Sequence, residues 1–265
     1  MGTTPNRPIF AIFFVLAAFV VNFNPVACQP ARAEVLAKTG RDGKVMVWIP
    51  GGTFTMGDRW GDGESDERPA HAEMVEGFWM DQTEVTNAEF QRFVEATNYR
   101  PRGSWSHSWT YAPDRENYPA DFITWDDAVA YARWAGKRLP TEKEWEYAAG
   151  GPLHTKWSLG NRFDETLYSF KRFPGEMTAL GPEPVKSHPP NSWGLYDMGG
   201  NVSEWTADYY HRYPGNTDNN AFYGEEYRVV RGGSWWTMDE AGLRVSARNW
   251  LRPSQDDGRG TPSES

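Results

Sequence analysis

The segment "GLYDMGGNVSEW" (194–205) holds two carboxylates, Asp197 and Glu204, on either side of Gly199-Gly200-Asn201. Calcium takes six to eight oxygen ligands and accepts main-chain carbonyls as readily as carboxylates. The Asp197 and Glu204 side chains, with carbonyls of the Gly200–Val202 loop, meet that requirement. The competing reading is a Gly-rich turn bearing two solvated acids. A second constellation lies in "RVVRGGSWWTMDEAGLRVSARNW" (228–250), where Ser234, Trp235 and Trp236 follow a Gly-Gly turn and Arg231, Arg244, Arg248 and Trp250 lie nearby. Rings stack on planar or sugar ligands and guanidinium forks hold carboxylates, so this set reads as a ligand pocket formed around Ser234, Trp235, Trp236 and Arg248. The alternative is that the rings pack in the core while the arginines pair with acids.

Other chemistries find less support. Ser234 in "GGSWW" does not stand in the GxSxG turn of a nucleophile elbow. The five histidines, His71, His107, His154, His188 and His211, form no local HExxH pattern. Acids are plentiful, but no pair is singled out for glycoside hydrolysis. No Gly-rich phosphate loop joins a strand to a helix.

The elements that must position these residues are legible in part. "VMVWIPGGTFTMGD" (45–58) predicts a strand, a turn at Pro50-Gly51-Gly52 and a second strand. "WGDGESDERPAHAEM" (60–74) reads as a polar surface loop, and 75–86 as another strand. Three capping boxes predict helix starts: Thr86 with Glu89, Thr124 with Asp127, and Thr141 with Glu144. The first helix carries Phe90, Phe93 and Val94, the second ends at Gly136 and the third stops at Gly150-Gly151. Beyond 150, Gly, Pro and Asn punctuate short strand-like runs. The pattern is that of one α+β domain.

The chain opens with a targeting pattern. Arg7 precedes the 13-residue apolar run Ile9–Val21, too short to span a bilayer, which needs about 20 residues. Ala31-Arg32-Ala33 fits a small-x-small cleavage site, so residues 1–33 are expected to be a signal peptide, with no transmembrane segment after cleavage. The protein is then periplasmic or secreted. A lipoprotein anchored through Cys28 is the alternative, with Pro25 a poor match to its motif. Cys28 is the single cysteine, so the mature domain has no disulfide, thiol nucleophile or thiolate ligand. Residues 1–33 carry Arg7 and Arg32 and no acid, so their removal takes the formal charge from −9 to −11. That balance argues against nucleic acid as a partner and is compatible with cations.

In order along the chain, "VWIPGGTFTMGD", "DQTEVTNAEFQRFV", "RLPTEKEWEYAAGG", "GLYDMGGNVSEWT" and "RVVRGGSWW" resemble the formylglycine-generating enzyme (sulfatase-modifying factor) family. The resemblance implies a variant of the C-type-lectin-like fold over 34–253, with low regular secondary structure; the polar residues of 254–265 read as a disordered tail. The resemblance also implies calcium held by the Asp197 and Glu204 side chains with the carbonyls of Gly200 and Val202. A second family calcium is not expected, because "LGNRFDETLYSF" lacks the required asparagine. It places Thr237 and Gly242 where the family's oxidases carry copper-binding cysteines. Neither residue binds copper(I), which prefers thiolate, so formylglycine generation by that mechanism is not expected, nor is copper. The family's usual closing Gly-Phe-Arg strand is also missing. The reading that results is a calcium-stabilised binding or accessory protein of a redox or maturation pathway, with a protein or small-molecule partner. The alternative is a cysteine-independent oxidoreductase that matures a small molecule or a partner protein.

Overall fold

Pro50 and Gly51 turn the chain between two short strands that belong to different sheets. The computed structural model describes residues 35–107, 112–170 and 181–255. The expected signal peptide, Cys28 and most of the expected tail (256–265) lie outside them. Strands β1 (Ala37–Thr39), β2 (Val45–Ile49) and β5 (Phe78–Asp81) form an antiparallel sheet in the order β1-β2-β5, with Val47 opposite Met80. Strands β3 (Gly52–Met56) and β4 (His71–Val75) pair as a two-stranded antiparallel ribbon. Strands β6 (Glu204–Tyr209), β7 (Arg228–Arg231) and β8 (Asn249–Leu251) make a third antiparallel sheet. Among the described residues β8 is the outer strand of that sheet, with no further strand beyond it.

The helices start where their capping boxes place them. Helix α1 (Asn87–Thr97) follows Thr86, α2 (Trp125–Trp134) follows Thr124, and α3 (Glu142–Gly150) follows Thr141. In each, the threonine hydroxyl accepts the N–H three residues on, and the acid at that position accepts the cap residue's own N–H. Helix α2 stops just short of Gly136, whose φ of 72° lies in the left-handed region. One expectation fails. The segment 60–74 is not wholly loop, because His71–Val75 is strand β4. Its alternation of half-buried and exposed residues is short and polar and ends on the buried Val75, and pairing with β3 rather than local propensity makes it a strand.

The core surrounds α3. Trp145, wholly buried, packs with Val47, Ile49, Phe54, Leu195 and Val245. A second cluster joins α1 to α2 through Phe90, Phe93, Trp105 and Tyr131, with ring centroids 4.9–6.0 Å apart. Two indole hydrogen bonds fasten α2 to the third sheet: Trp125 Nε1–H to the Thr206 carbonyl and Trp205 Nε1–H to the Ile123 carbonyl, each 2.8 Å. Among the described residues no helix is long and apolar enough to cross a membrane.

Candidate functional site

The acidic loop between Leu195 and β6 is shaped by residues that tolerate positive φ: Asp197 (57°), Gly200 (84°) and Asn201 (59°). At Gly200 the requirement is double, since an added Cβ would lie 2.3 Å from the Ser169 carbonyl oxygen. Two main-chain bonds tie the loop to the Gly-Gly segment: Gly200 N–H to Gly232 O and Trp235 N–H to Asn201 O, both 2.8 Å. The "MGGN" and "RGGSWW" motifs are therefore two halves of one structural unit.

Three carboxylates there lie within electrostatic reach of one another. Glu84, which the local sequence did not single out, accepts from Asn201 Nδ2 at 2.7 Å and from the Val202 N–H at 3.1 Å. Burial pushes its carboxyl well above the usual range, and the charges of Asp197 and Glu204 add to the rise. Burial also pushes Glu204 up to about 7; the Trp145 Nε1–H bond at 2.9 Å opposes this, and Asp197 reinforces it. Asp197 is raised by burial although it accepts the Lys186 N–H at 2.9 Å. The cation that acts on Glu204 is Lys44, whose ammonium is bound to Glu89 Oε2 at 2.6 Å and to the Glu84 carbonyl at 2.8 Å, while Lys186 acts on Asp197.

Such mutual repulsion between buried acids is the electrostatic condition that a hard cation relieves. Among the described residues, the buried Gly200 and Val202 carbonyls accept no main-chain or side-chain hydrogen bond. Buried carbonyls rarely lack a partner. No three His, Cys, Asp or Glu side chains are gathered as a metal cluster among the described residues. A cation here would instead be held by two carboxylates and main-chain oxygens, which is calcium's donor set.

The second predicted constellation is assembled differently from expectation. Ser234 is fully buried; its Oγ accepts the Trp236 N–H at 3.2 Å and its N–H donates to Thr237 Oγ1 at 2.9 Å. Trp235 is buried, whereas Trp236 is 37% exposed, and the two rings meet edge-on at 5.3 Å. Arg248 faces inward. Its guanidinium grips Glu142 through two bonds of 2.7 and 3.0 Å and donates to the Asp66 and His211 carbonyls, each at 3.0 Å. Arg231 is likewise enclosed, bound to Glu146 and to the Ser246 carbonyl, and Arg244 holds Glu67 at 2.8 and 3.1 Å. The arginines pair with acids, as the alternative reading had it, because a buried guanidinium requires such compensation. Of the expected pocket set, Trp236 alone offers a substantial surface.

The two positions matched to oxidase cysteines do come together. A Cβ built on Gly242 lies 3.9 Å from Thr237 Cβ and 2.6 Å from its Cγ2. The Thr237 hydroxyl serves the turn, accepting the Ser234 N–H, while Asp239 Oδ1 accepts the Gly242 N–H at 3.1 Å. Three of the histidines have separate surroundings: His188 is bonded to Glu183 at 2.8 Å, His71 meets Tyr213 edge-on, and His154 packs against Phe54 and Tyr147.

Mixed helix and strand joined by long loops, with an acidic loop laced to a Gly-Gly turn, define a domain of the sulfatase-modifying-factor type. Residues 32–259 match the family described as "Sulfatase-modifying factor enzyme 1-like domain", and the chain belongs to that family. It is similar to the formylglycine-generating enzyme of Streptomyces coelicolor (36% identity over 82% of this chain and 88% of that protein). It is also similar to the inactive C-alpha-formylglycine-generating enzyme 2 of Mus musculus (34% identity over 77% of this chain and 78% of that one). Against the mouse formylglycine-generating enzyme it covers 58% of that protein's length. Among solved structures, PvdO from Pseudomonas aeruginosa superposes with a TM-score of 0.67 at 28% identity, over 85% of this chain and 95% of that one. The Treponema denticola variable protein 1, at 22% identity, shares the fold with the same TM-score.

Proposed function

We propose that this chain is an exported, calcium-stabilised sulfatase-modifying-factor domain that acts by binding, as an accessory to a redox or maturation pathway, and does not generate formylglycine. The observation that carries the reading is the fate of the two oxidase positions. They lie side by side, with a Cβ at 242 falling 3.9 Å from Thr237 Cβ, yet are occupied by Thr237 and Gly242, and the threonine hydroxyl is committed to closing the Ser234 turn. A fold that retains the geometry of the segment but not its thiols supports a role in recognition. The likeness to a mouse relative that is itself named inactive supports the same conclusion.

Calcium would be held by the Asp197 and Glu204 carboxylates and the Gly200 and Val202 carbonyls, with Glu84 behind them. Bound there, it supplies charge neutralisation that anchors the loop to β6 and, through Gly232 and Asn201, to the Trp235–Trp236 segment. The targeting pattern at residues 1–33 supports periplasmic or secreted placement. The test is metal content: the protein exported in its host, purified without chelator, is expected to carry calcium near one per chain. Stoichiometric copper or iron would overturn the reading in favour of a cysteine-independent oxidoreductase.

A further inference from the structure

A cavity of about 630 Å³ opens beside the first sheet, lined from β1, β2, β5, α1, α2 and the start of β6. It shares no lining residue with the Ser234–Gly242 segment. Its volume falls among those of small-molecule sites, about 300–1,000 Å³. The walls are largely apolar, with Met46, Phe78, Met80, Val85, Ile123 and Ala128 among the residues that form them. One polar atom in the lining, Ser203 Oγ, is buried and has no partner among the described residues. A packing void between apolar side chains gives no reason for an orphaned hydroxyl, whereas a ligand site does.

The charges around the cavity are distributed unevenly. Lys137 is held by Asp42 and Asp81, each at 2.7 Å, and Arg138 by Glu144 at 2.6 Å. Lys38 and Arg41, both exposed, have no ion-pair partner among the described residues. The Lys38 ammonium sits 4.3 Å from the centre of the Trp79 ring, and the Arg41 stem lies across Gly136, where an added Cβ would be 3.0 Å from Arg41 Cδ. Both cations are thus positioned at the cavity without an acid that holds them.

We propose that this cavity binds a small amphipathic anion, its apolar body enclosed between the sheet and α2 and its carboxylate held at the mouth by Lys38 and Arg41. The apolar body gains from burial, and a carboxylate matches a lysine and an arginine that no protein acid neutralises. The lining also includes Glu84, Val202 and Glu204 of the acidic loop, so the cavity adjoins the calcium site, while the two cations that would hold the ligand's carboxylate come from β1 and the turn after it.

Calorimetric titration of the exported, calcium-loaded protein tests it, with decanoate, decanol and decyltrimethylammonium as probes below their micellar concentrations. Decanoate is expected to bind one per chain, at least tenfold tighter than decanol, with no saturable binding of the cation. Charge reversal of the exposed pair, Lys38→Glu with Arg41→Glu, is expected to weaken decanoate at least tenfold while leaving the melting temperature and calcium content unchanged. Filling the cavity with Ala128→Phe is expected to abolish binding. The proposal fails if decanoate gives no saturable heat, if decanol binds as well as decanoate, or if the charge-reversed protein binds like the parent. Because calcium content is measured on the same samples, failure here is distinguishable from failure of the metal site.

Discussion

Removing calcium from the Asp197–Glu204 loop is expected to give the protein an unusual dependence of stability on pH. The Glu204 carboxyl, pushed up to about 7 from an ordinary 4.5, binds its proton in the folded state over a range where the unfolded chain has released it. Stability therefore falls as pH rises from 4.5 through 7, by about 3 kcal/mol for this group alone. Asp197 and Glu84 are raised as well and act in the same direction. His154, lowered from 6.5 by burial, opposes them, since charging it on acidification costs stability. Calcium needs the ionised carboxylates and competes with their protons, so the loaded protein is spared this loss. In a protein of this size about 3 kcal/mol corresponds to roughly 6–12 °C in melting temperature. Differential scanning calorimetry between pH 5 and pH 8, with calcium and with chelator, measures it. Asp66, Asp81, Glu146 and Asp208 are also raised, but they have other partners and titrate alike with and without metal, so the difference between the two curves isolates the loop. The calcium-dependent gain should be large at pH 8 and shrink at pH 5. Glu204→Gln, which carries no charge to repel, should be more stable than the chelated parent at pH 8 and gain little from calcium. A calcium increment that is absent at pH 8, or that grows on acidification, would refute the reasoning.

Thr237→Cys with Gly242→Cys is expected to form a disulfide, because the Cβ atoms would be 3.9 Å apart, within the usual range, and the clash with Thr237 Cγ2 disappears with the threonine. The small loop contributes about 2 kcal/mol by chain entropy, offset by about 1 kcal/mol for the lost bond to Ser234 N–H. Thiol titration and intact mass read the outcome, and thiols that stay free under oxidising conditions would sink it. Arg248→Ala strands Glu142 without its bidentate partner and should cost about 3–5 kcal/mol in urea denaturation. A loss under 1 kcal/mol, the range of exposed ion pairs, would show that this pair is not buried. Gly200→Ala places a Cβ against the Ser169 carbonyl at a positive φ and should lower both melting temperature and calcium affinity, whereas Gly61→Ala, strained in φ but with open space around it, should leave calcium affinity unchanged.

Local physics made much of this protein readable before any coordinates. Each capping box uses groups three residues apart, so Thr86, Thr124 and Thr141 announce their helices whatever the rest of the chain does. The Pro50-Gly51-Gly52 turn and the positive-φ run around Gly200 are equally short-range, and five ordered motifs identify the family. Long-range pairings were not readable. Glu142 is 106 residues from Arg248, and no pattern near either marks one as the other's partner. Glu84 lies 120 positions from Glu204 and looks like an ordinary acid before a helix cap; folding alone makes it the third carboxylate of the loop. Strand β4 exists because β3 supplies its hydrogen bonds, and Trp235 and Trp236, adjacent and identical in type, diverge into one buried and one exposed ring. Turns and caps depend on a few neighbouring dihedrals. Burial, charge pairing and the cavity behind Lys38 and Arg41 depend on which distant segments meet, and that is a property of the packed chain.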